Sequence, residues 1–365
     1  MYEILEKYRE DFLRCMKCGS CQAVCPTYIE TRDESMVARG RLVLSEAVID
    51  GKLGLTNGLR ERLSKCLGCM ACTETCPTGI DVVKLLTVVR SQIVEDRGLD
   101  PISSFVLRGI LKKERLLSSA SKIMELSARF YNSIPSGRWF DRFMPFTKDG
   151  VKRFTPQFGS RNFRRGLPEV IRVDNPAARV AFFTGCMTDF VYQDAGKAVI
   201  SVLKRARVEI ILPKEQICCG APAYYMGDRK TAIDMAERNI EIFKRLNVDA
   251  IVNCCATCGT MLKEVYPILA DSAVISNKVV DIQKFIADRF EIFKSPIPPF
   301  NKSSLNPPFI KGGEGGLKVT YHDPCHLRRG QKVIYPPREI LKNIPGMEYI
   351  EMEDSDRCCG GGGTF

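Results

Sequence analysis

Histidine is scarce in this chain, with two residues in 365 against seventeen cysteines, so metal ligation falls to sulfur. No apolar run approaches the ~20 residues that a membrane-spanning helix needs. Residues 1–11 (MYEILEKYRED) are charged where a secretory leader would be apolar. The expectation is a cytoplasmic protein with reduced thiols, in which grouped cysteines mean metal rather than disulfides. A glycine-rich dinucleotide fingerprint and a dedicated flavin motif are both missing, so no FAD is expected in this chain. Helix-turn-helix, finger and aromatic ribonucleoprotein motifs are missing too, and the net charge of +11 is not read as a nucleic-acid footprint. Most of that charge lies in residues 101–179, with 16 Lys and Arg against 6 Asp and Glu. Such a basic stretch is either a docking or membrane-surface face or a solvated helical surface.

The abundant cysteines are ordered. Cys15, Cys18, Cys21 and Cys25 precede Pro26, and Cys66, Cys69, Cys72 and Cys76 precede Pro77, which is C-x2-C-x2-C-x3-C-P twice. Three thiolates three residues apart on a turning backbone converge on one cubane, and the fourth faces a second cubane. The expected ligand sets for two [4Fe-4S] clusters are therefore crossed: Cys15, Cys18, Cys21 and Cys76 on one, Cys66, Cys69, Cys72 and Cys25 on the other. Each proline lacks an amide hydrogen and ends its cysteine turn. Two zinc sites of four cysteines would leave the third cysteine of each run and its proline without a role.

Along the chain, Ile4, Leu5, Tyr8, Phe12 and Leu13 recur at helical spacing. Asp33 and Asp81 read as helix caps, and a further helix starts near Thr56 or Asn57. Residues 1–98 thus form an α-helical ferredoxin domain, and residues 99–178 a basic helical connector. From residue 179 strands and helices alternate. Cys186, Cys218, Cys219, Cys255 and Cys258 each follow a predicted strand, at the carboxyl edge where open α/β sheets place ligands; Cys254 is extra. Residues 179–294 form one cysteine-rich α/β domain. Residues 295–317 are a Pro/Gly-rich linker, with nine Pro or Gly in residues 295–316. Residues 318–365 restart the pattern with Cys325, Cys358 and Cys359, about 140 residues after Cys186, Cys218 and Cys219, as a duplicated second domain. It is incomplete, since six residues follow Cys359 where a further C-x2-C is expected. His322 and His326 flank Cys325 as ligands, proton donors or structural strand-end residues.

With CMKCGSCQAVCPT, CLGCMACTETCPT, the ARGR stretch 38–41, GCM, CCGAP, CCATC, HDPCH and CCGGGG in place, the chain resembles the iron-sulfur subunits of glycolate oxidase and D-lactate dehydrogenases. It is equally similar in layout to the D subunit of heterodisulfide reductase. The resemblance implies CCG domains, with a further [4Fe-4S] cluster, cubane or non-cubane, on Cys186, Cys218, Cys219, Cys255 and Cys258. It implies an electron-transfer subunit that takes electrons from an FAD-binding dehydrogenase subunit acting on a 2-hydroxy acid. The acceptor would be a quinone, a cytochrome or another carrier, at the cytoplasmic face of the inner membrane. The alternative is catalytic disulfide reduction at the CCG cluster.

Overall fold

The computed structural model describes residues 2–113, 116–123, 162–289 and 317–361. The Pro/Gly-rich stretch 295–316 and residues 124–161 of the basic connector lie outside these residues.

The amino-terminal domain is helical. Its elements are α1 (Glu3–Glu6), α2 (Arg9–Leu13), α3 (Ser20–Val24), α4 (Pro26–Thr31), α5 (Ala38–Ile49), α6 (Asn57–Ser64), α7 (Ala71–Glu74) and α8 (Val82–Arg97). The single helix expected at the start is two, parted at Tyr8, whose backbone leaves the helical region (φ −111°, ψ 9°). Leu5 and Phe12 are fully buried from the two pieces, so packing is kept despite the break. Thr56 Oγ1 accepts from Leu59 N at 3.2 Å and Asp81 Oδ1 from Lys84 N at 3.1 Å, capping α6 and α8 as their spacing predicts. Asp33 instead caps a short 3₁₀ turn, Glu34–Met36, ahead of α5. Leu42, Val48, Leu59, Leu63, Leu85, Leu86 and Val89 close a core between α5, α6 and α8.

The second domain is built on strands β1 (Val170–Ile171), β2 (Ala178–Phe183), β3 (Val208–Ile211), β4 (Ala250–Asn253) and β5 (Val279–Asp281), in the order β1-β3-β2-β4-β5. All pairs are parallel except β1 with β3. Helices cover both faces, so β2 is apolar on both sides. Ala181 and Phe183 join one core, Val180 and Phe182 the other. A separate two-stranded parallel sheet pairs β6 (Leu317–Val319) with β7 (Met347–Tyr349).

The connector ends earlier than its composition suggests. Leu212 N donates to Glu169 O, β1 pairs with β3, and Arg164 is 4% exposed. Arg164 donates Nη2 to Asp189 Oδ2 at 3.0 Å and Nη1 to the carbonyls of Pro213, Lys214 and Gln216. Residues 162–171 therefore belong to the sheet domain, and this arginine holds a buried ion pair rather than part of a basic docking face. Among the described residues no helix is long and apolar enough to cross a membrane.

Candidate iron-sulfur sites

The two ferredoxin loops share one backbone shape. In the first, Lys17 and Gly19 are left-handed (φ 56° and 88°); in the second, Gly68 and Met70 occupy the equivalent positions (φ 63° and 61°). Each loop runs into a short helix carrying its third cysteine, Cys21 in α3 and Cys72 in α7, and these two helices pack together. That contact carries the fourth cysteine of each run to the other loop. Cys15, Cys18, Cys21 and Cys76 line one hollow of about 390 Å³, open mouth included, and Cys72 borders it. Cys25, Cys66, Cys69 and Cys72 line a second hollow of about 360 Å³.

The donor chemistry fits iron-sulfur clusters. Among the described residues no three His, Cys, Asp or Glu side chains converge as a single ion requires. A tetrahedral zinc site would draw thiolates to about 3.8 Å from one another, given Zn–S of about 2.3 Å. Here four thiols ring a space instead, as the corners of a cubane demand. Burial pushes the Cys72 and Cys21 thiols up, so a thiolate at either position needs positive charge or hydrogen-bond donors nearby. Cys18 is held low by the Ser20 hydroxyl, 3.4 Å from its sulfur. At Cys76 burial raises the thiol, but the Thr78 hydroxyl at 3.2 Å and the amides of Ile80, Thr78 and Gly79 bring it below its ordinary value. Thr27 Oγ1 stands 3.1 Å from Cys25 Sγ in the equivalent place. The two crossing cysteines thus each have a threonine hydroxyl two residues on, a role that the repeated C-P-T signals and that cysteine spacing alone misses.

In the sheet domain Cys186 follows β2, Cys218 and Cys219 follow β3, and Cys255 and Cys258 follow β4 at the same edge. Their thiols lie near enough to shift one another's ionisation in sequence: Cys186 with Cys218, Cys218 with Cys219, Cys219 with Cys258, and Cys258 with Cys255. Gly185 sits at φ 65°, and a Cβ there would lie 2.8 Å from Cys258 Sγ, so only glycine allows the approach. Cys254 points to the opposite layer, packs with the Phe285 core, and lies 3.4 Å from Thr188 Oγ1. Burial raises its thiol to about 11.

The Cys325 region packs onto the ferredoxin domain. Arg329 Nε donates to Glu74 Oε2 of α7 at 2.9 Å and its Nη2 to Asp356 Oδ2 at 3.0 Å. Cys325 and Cys69 both lie near enough to Cys358 to hold its thiol low, so a cysteine of the second hollow neighbours the last cysteine pair, while Cys359 is exposed. Both His326 nitrogens are taken, Nδ1 by Thr257 Oγ1 at 2.9 Å and Nε2 by Tyr225 OH at 3.3 Å, and its ring stacks on Tyr225. Burial lowers its pKa. His322 Nε2 meets Arg357 O at 2.8 Å. Tyr225 and the Cys69–Cys358 proximity carry no sequence signal, because they arise where three segments distant in the chain meet.

Residues 11–80 match the 4Fe-4S dicluster domain family, and residues 180–263 and 319–365 match the cysteine-rich (CCG) domain family. The chain is 30% identical to the probable glycolate oxidase iron-sulfur subunit of Bacillus subtilis, covering 100% of this chain and 83% of that protein. It is 30% identical to the B subunit of fumarate reductase (CoM/CoB) from Methanothermobacter marburgensis, covering 96% of this chain and 58% of that protein. It is 24% identical to the D subunit of dihydromethanophenazine:CoB–CoM heterodisulfide reductase from Methanosarcina barkeri, covering 96% and 78%. Several of these relatives are longer, and the chain spans less than two thirds of the Methanothermobacter protein. No solved structure matches the chain. Dicluster motif, CCG motifs and near full-length similarity together make the chain a member of the family of glycolate oxidase iron-sulfur subunits and their heterodisulfide reductase D-like relatives.

Proposed function

We propose that this chain is the iron-sulfur electron-transfer subunit of a flavin-dependent 2-hydroxy-acid dehydrogenase complex, with glycolate or D-lactate oxidised on an FAD-binding partner. The acceptor is a quinone or another carrier, reached from the cytoplasmic face of the membrane. The carrying observation is continuity of thiols: two cysteine-lined hollows share Cys72 at their border, and the second reaches Cys358 and Cys325 through Cys69. Bound clusters supply one-electron carriers whose potential follows burial, charge and hydrogen bonds to sulfur. Cys15, Cys18, Cys21 and Cys76 would hold one [4Fe-4S] cluster, and Cys25, Cys66, Cys69 and Cys72 the other. Cys186, Cys218, Cys219, Cys255 and Cys258 would hold a third, cubane or non-cubane. Cys325, Cys358 and Cys359 are the matching positions of a second CCG unit. Ser20, Thr27 and Thr78 give hydroxyl contacts to sulfur, and Tyr225 and His326 fill the space between the second hollow and the CCG group. The test is anaerobic expression of the full chain, measurement of iron and sulfide, and co-purification with an FAD-binding 2-hydroxy-acid oxidase subunit. Expected are about eight irons from the ferredoxin cysteines, plus the CCG contribution, with electrons from the hydroxy acid reducing them. A chain carrying zinc, or clusters that the reduced flavoprotein leaves oxidised, sinks the reading.

A second reading is heterodisulfide-reductase-like catalysis at the CCG group. It is favoured by buried Cys219 and half-buried Cys255, which neighbouring thiols hold toward thiolate. Two electrons and two protons would convert one disulfide to two thiols. Disulfide reduction by the chemically reduced chain alone would support it, and no thiol release would exclude it.

A further inference from the structure

Two guanidinium groups are buried in the ferredoxin domain without an ion-paired carboxylate among the described residues. Arg41 of α5 is 2% exposed and Arg90 of α8 is 5% exposed. Arg41 donates Nε to Arg62 O at 2.8 Å and Nη2 to Thr27 Oγ1 at 3.4 Å. Arg90 donates Nη1 to Tyr225 O at 2.8 Å and Nη2 to the carbonyls of Leu63 and Cys66, while its Nε has no partner among the described residues. The other buried arginines are ion-paired: Arg164 with Asp189, Arg329 with Glu74 and Asp356, Arg338 with Asp323 and Glu351. Carbonyl and hydroxyl partners satisfy only some of these N–H groups and leave the net charge, and a buried uncompensated cation is strongly destabilising. Arg41 and Arg90 also repel each other. The domain thus holds two like charges in its interior, neither of them in an ion pair among the described residues, with Asp33 near enough to Arg41 to feel its charge.

One cation lines the second hollow and the other bonds the backbone of one of its cysteines. Arg41 lines it beside Cys25, Cys66, Cys69 and Cys72, and shares Thr27 with the Cys25 thiol. Arg90 reaches the Cys66 carbonyl at 3.0 Å. The first hollow differs: its guanidinium, Arg39, is 26% exposed and ion-paired with Glu34 at 2.7 Å. An iron-sulfur core with four thiolates is negative, and more so when reduced, so nearby buried positive charge favours the reduced state.

We propose that Arg41 and Arg90 are the counter-charges of the second iron-sulfur centre, fixing its reduction potential above that of the first. Electrons then collect at the hollow whose Cys69 neighbours Cys358. This inference rests on the electron-transfer reading and adds a direction to it. Both arginines are positioning residues, acting through the field they impose on the thiolate set.

The experiment is an EPR-monitored potentiometric titration of the anaerobically reconstituted full chain, with iron and sulfide measured on the same samples. Arg90→Gln and Arg41→Gln should each lower the midpoint of one [4Fe-4S] centre. At the parent midpoint its reduced-to-oxidised ratio should fall about tenfold, which is ~59 mV for one electron. That centre should be the one lost in Cys66→Ser. Arg90→Lys, which keeps the charge, should retain most of the potential, and Arg39→Gln should leave this centre in place. If Arg90→Gln fails to hold iron, Arg41→Gln and Arg90→Lys decide. Glutamine variants that leave every midpoint unchanged, a shift confined to the centre lost in Cys15→Ser, or a lysine variant as damaged as glutamine would each overturn the counter-charge role alone. A parent chain without iron and sulfide would instead overturn the electron-transfer reading.

Discussion

Gly227 gives the sharpest test of how the two domains meet. It ends the helix Ala221–Met226 at φ 90°, and a Cβ built there would lie 2.5 Å from the Arg90 carbonyl carbon and 2.6 Å from its oxygen. Gly51 is also left-handed (φ 69°), but nothing lies within 4 Å of its added Cβ. Gly51→Ala should therefore cost only the left-handed backbone, about 1 kcal/mol. Gly227→Ala carries the same term and must also push α8 away from the sheet-domain helix, overpacking that adds roughly 2 kcal/mol, for about 3 kcal/mol in all. At about 2–4 °C per kcal/mol for larger domains, the expected falls in Tm are about 3 °C and 9 °C. Thermal unfolding followed by circular dichroism under anaerobic conditions measures both. Equal falls for the two variants would refute the claim that close backbone approach at Gly227 fixes the docking.

Three further outcomes follow from single residues. Cys25→Ser should give iron content and EPR spectra matching Cys66→Ser rather than Cys15→Ser; a match to Cys15→Ser would mean that the ligands are not crossed. Met70→Gly should raise the urea midpoint, because the left-handed loop position (φ 61°) costs methionine roughly 1 kcal/mol that glycine avoids; a lowered midpoint would count against the shared loop shape. Burial raises the Asp281 carboxyl to about 6, above its usual 3.8. The folded chain then binds more protons than the unfolded one between those values, so this group's contribution to stability is lost as pH rises through the window. Relative to Asp281→Asn, the parent should lose about 1 kcal/mol between pH 5 and pH 7.5, read as a shift in urea midpoint, and a constant difference would refute it.

Much of the site is legible in the residues alone. The two C-x2-C-x2-C-x3-C-P runs pick out the eight thiols that line the two hollows, because three-residue spacing on a turn and a helix-long fourth step are local backbone geometry. The caps at Thr56 and Asp81 are local too, since each needs only a side-chain oxygen and an amide three residues on. Burial is harder to read. Arg164 counts as one basic residue among many in the sequence, although the fold buries it against Asp189, 25 residues away, because formal charge says nothing of where a side chain ends. Cys254 and Cys255 are adjacent, yet face opposite layers, because successive residues at a strand end alternate across the sheet.

The sequence by itself determined the chemistry: sulfur ligation, two paired cysteine runs, a helical domain followed by strand-helix alternation, and five cysteines at strand ends. Tertiary structure alone decided the neighbourhoods. Cys69 neighbours Cys358, His326 stacks on Tyr225, and Arg90 bonds Tyr225 O. Ligand type and spacing are properties of a few contiguous residues, whereas these contacts join residues 101 to 289 positions apart, set by how whole surfaces pack.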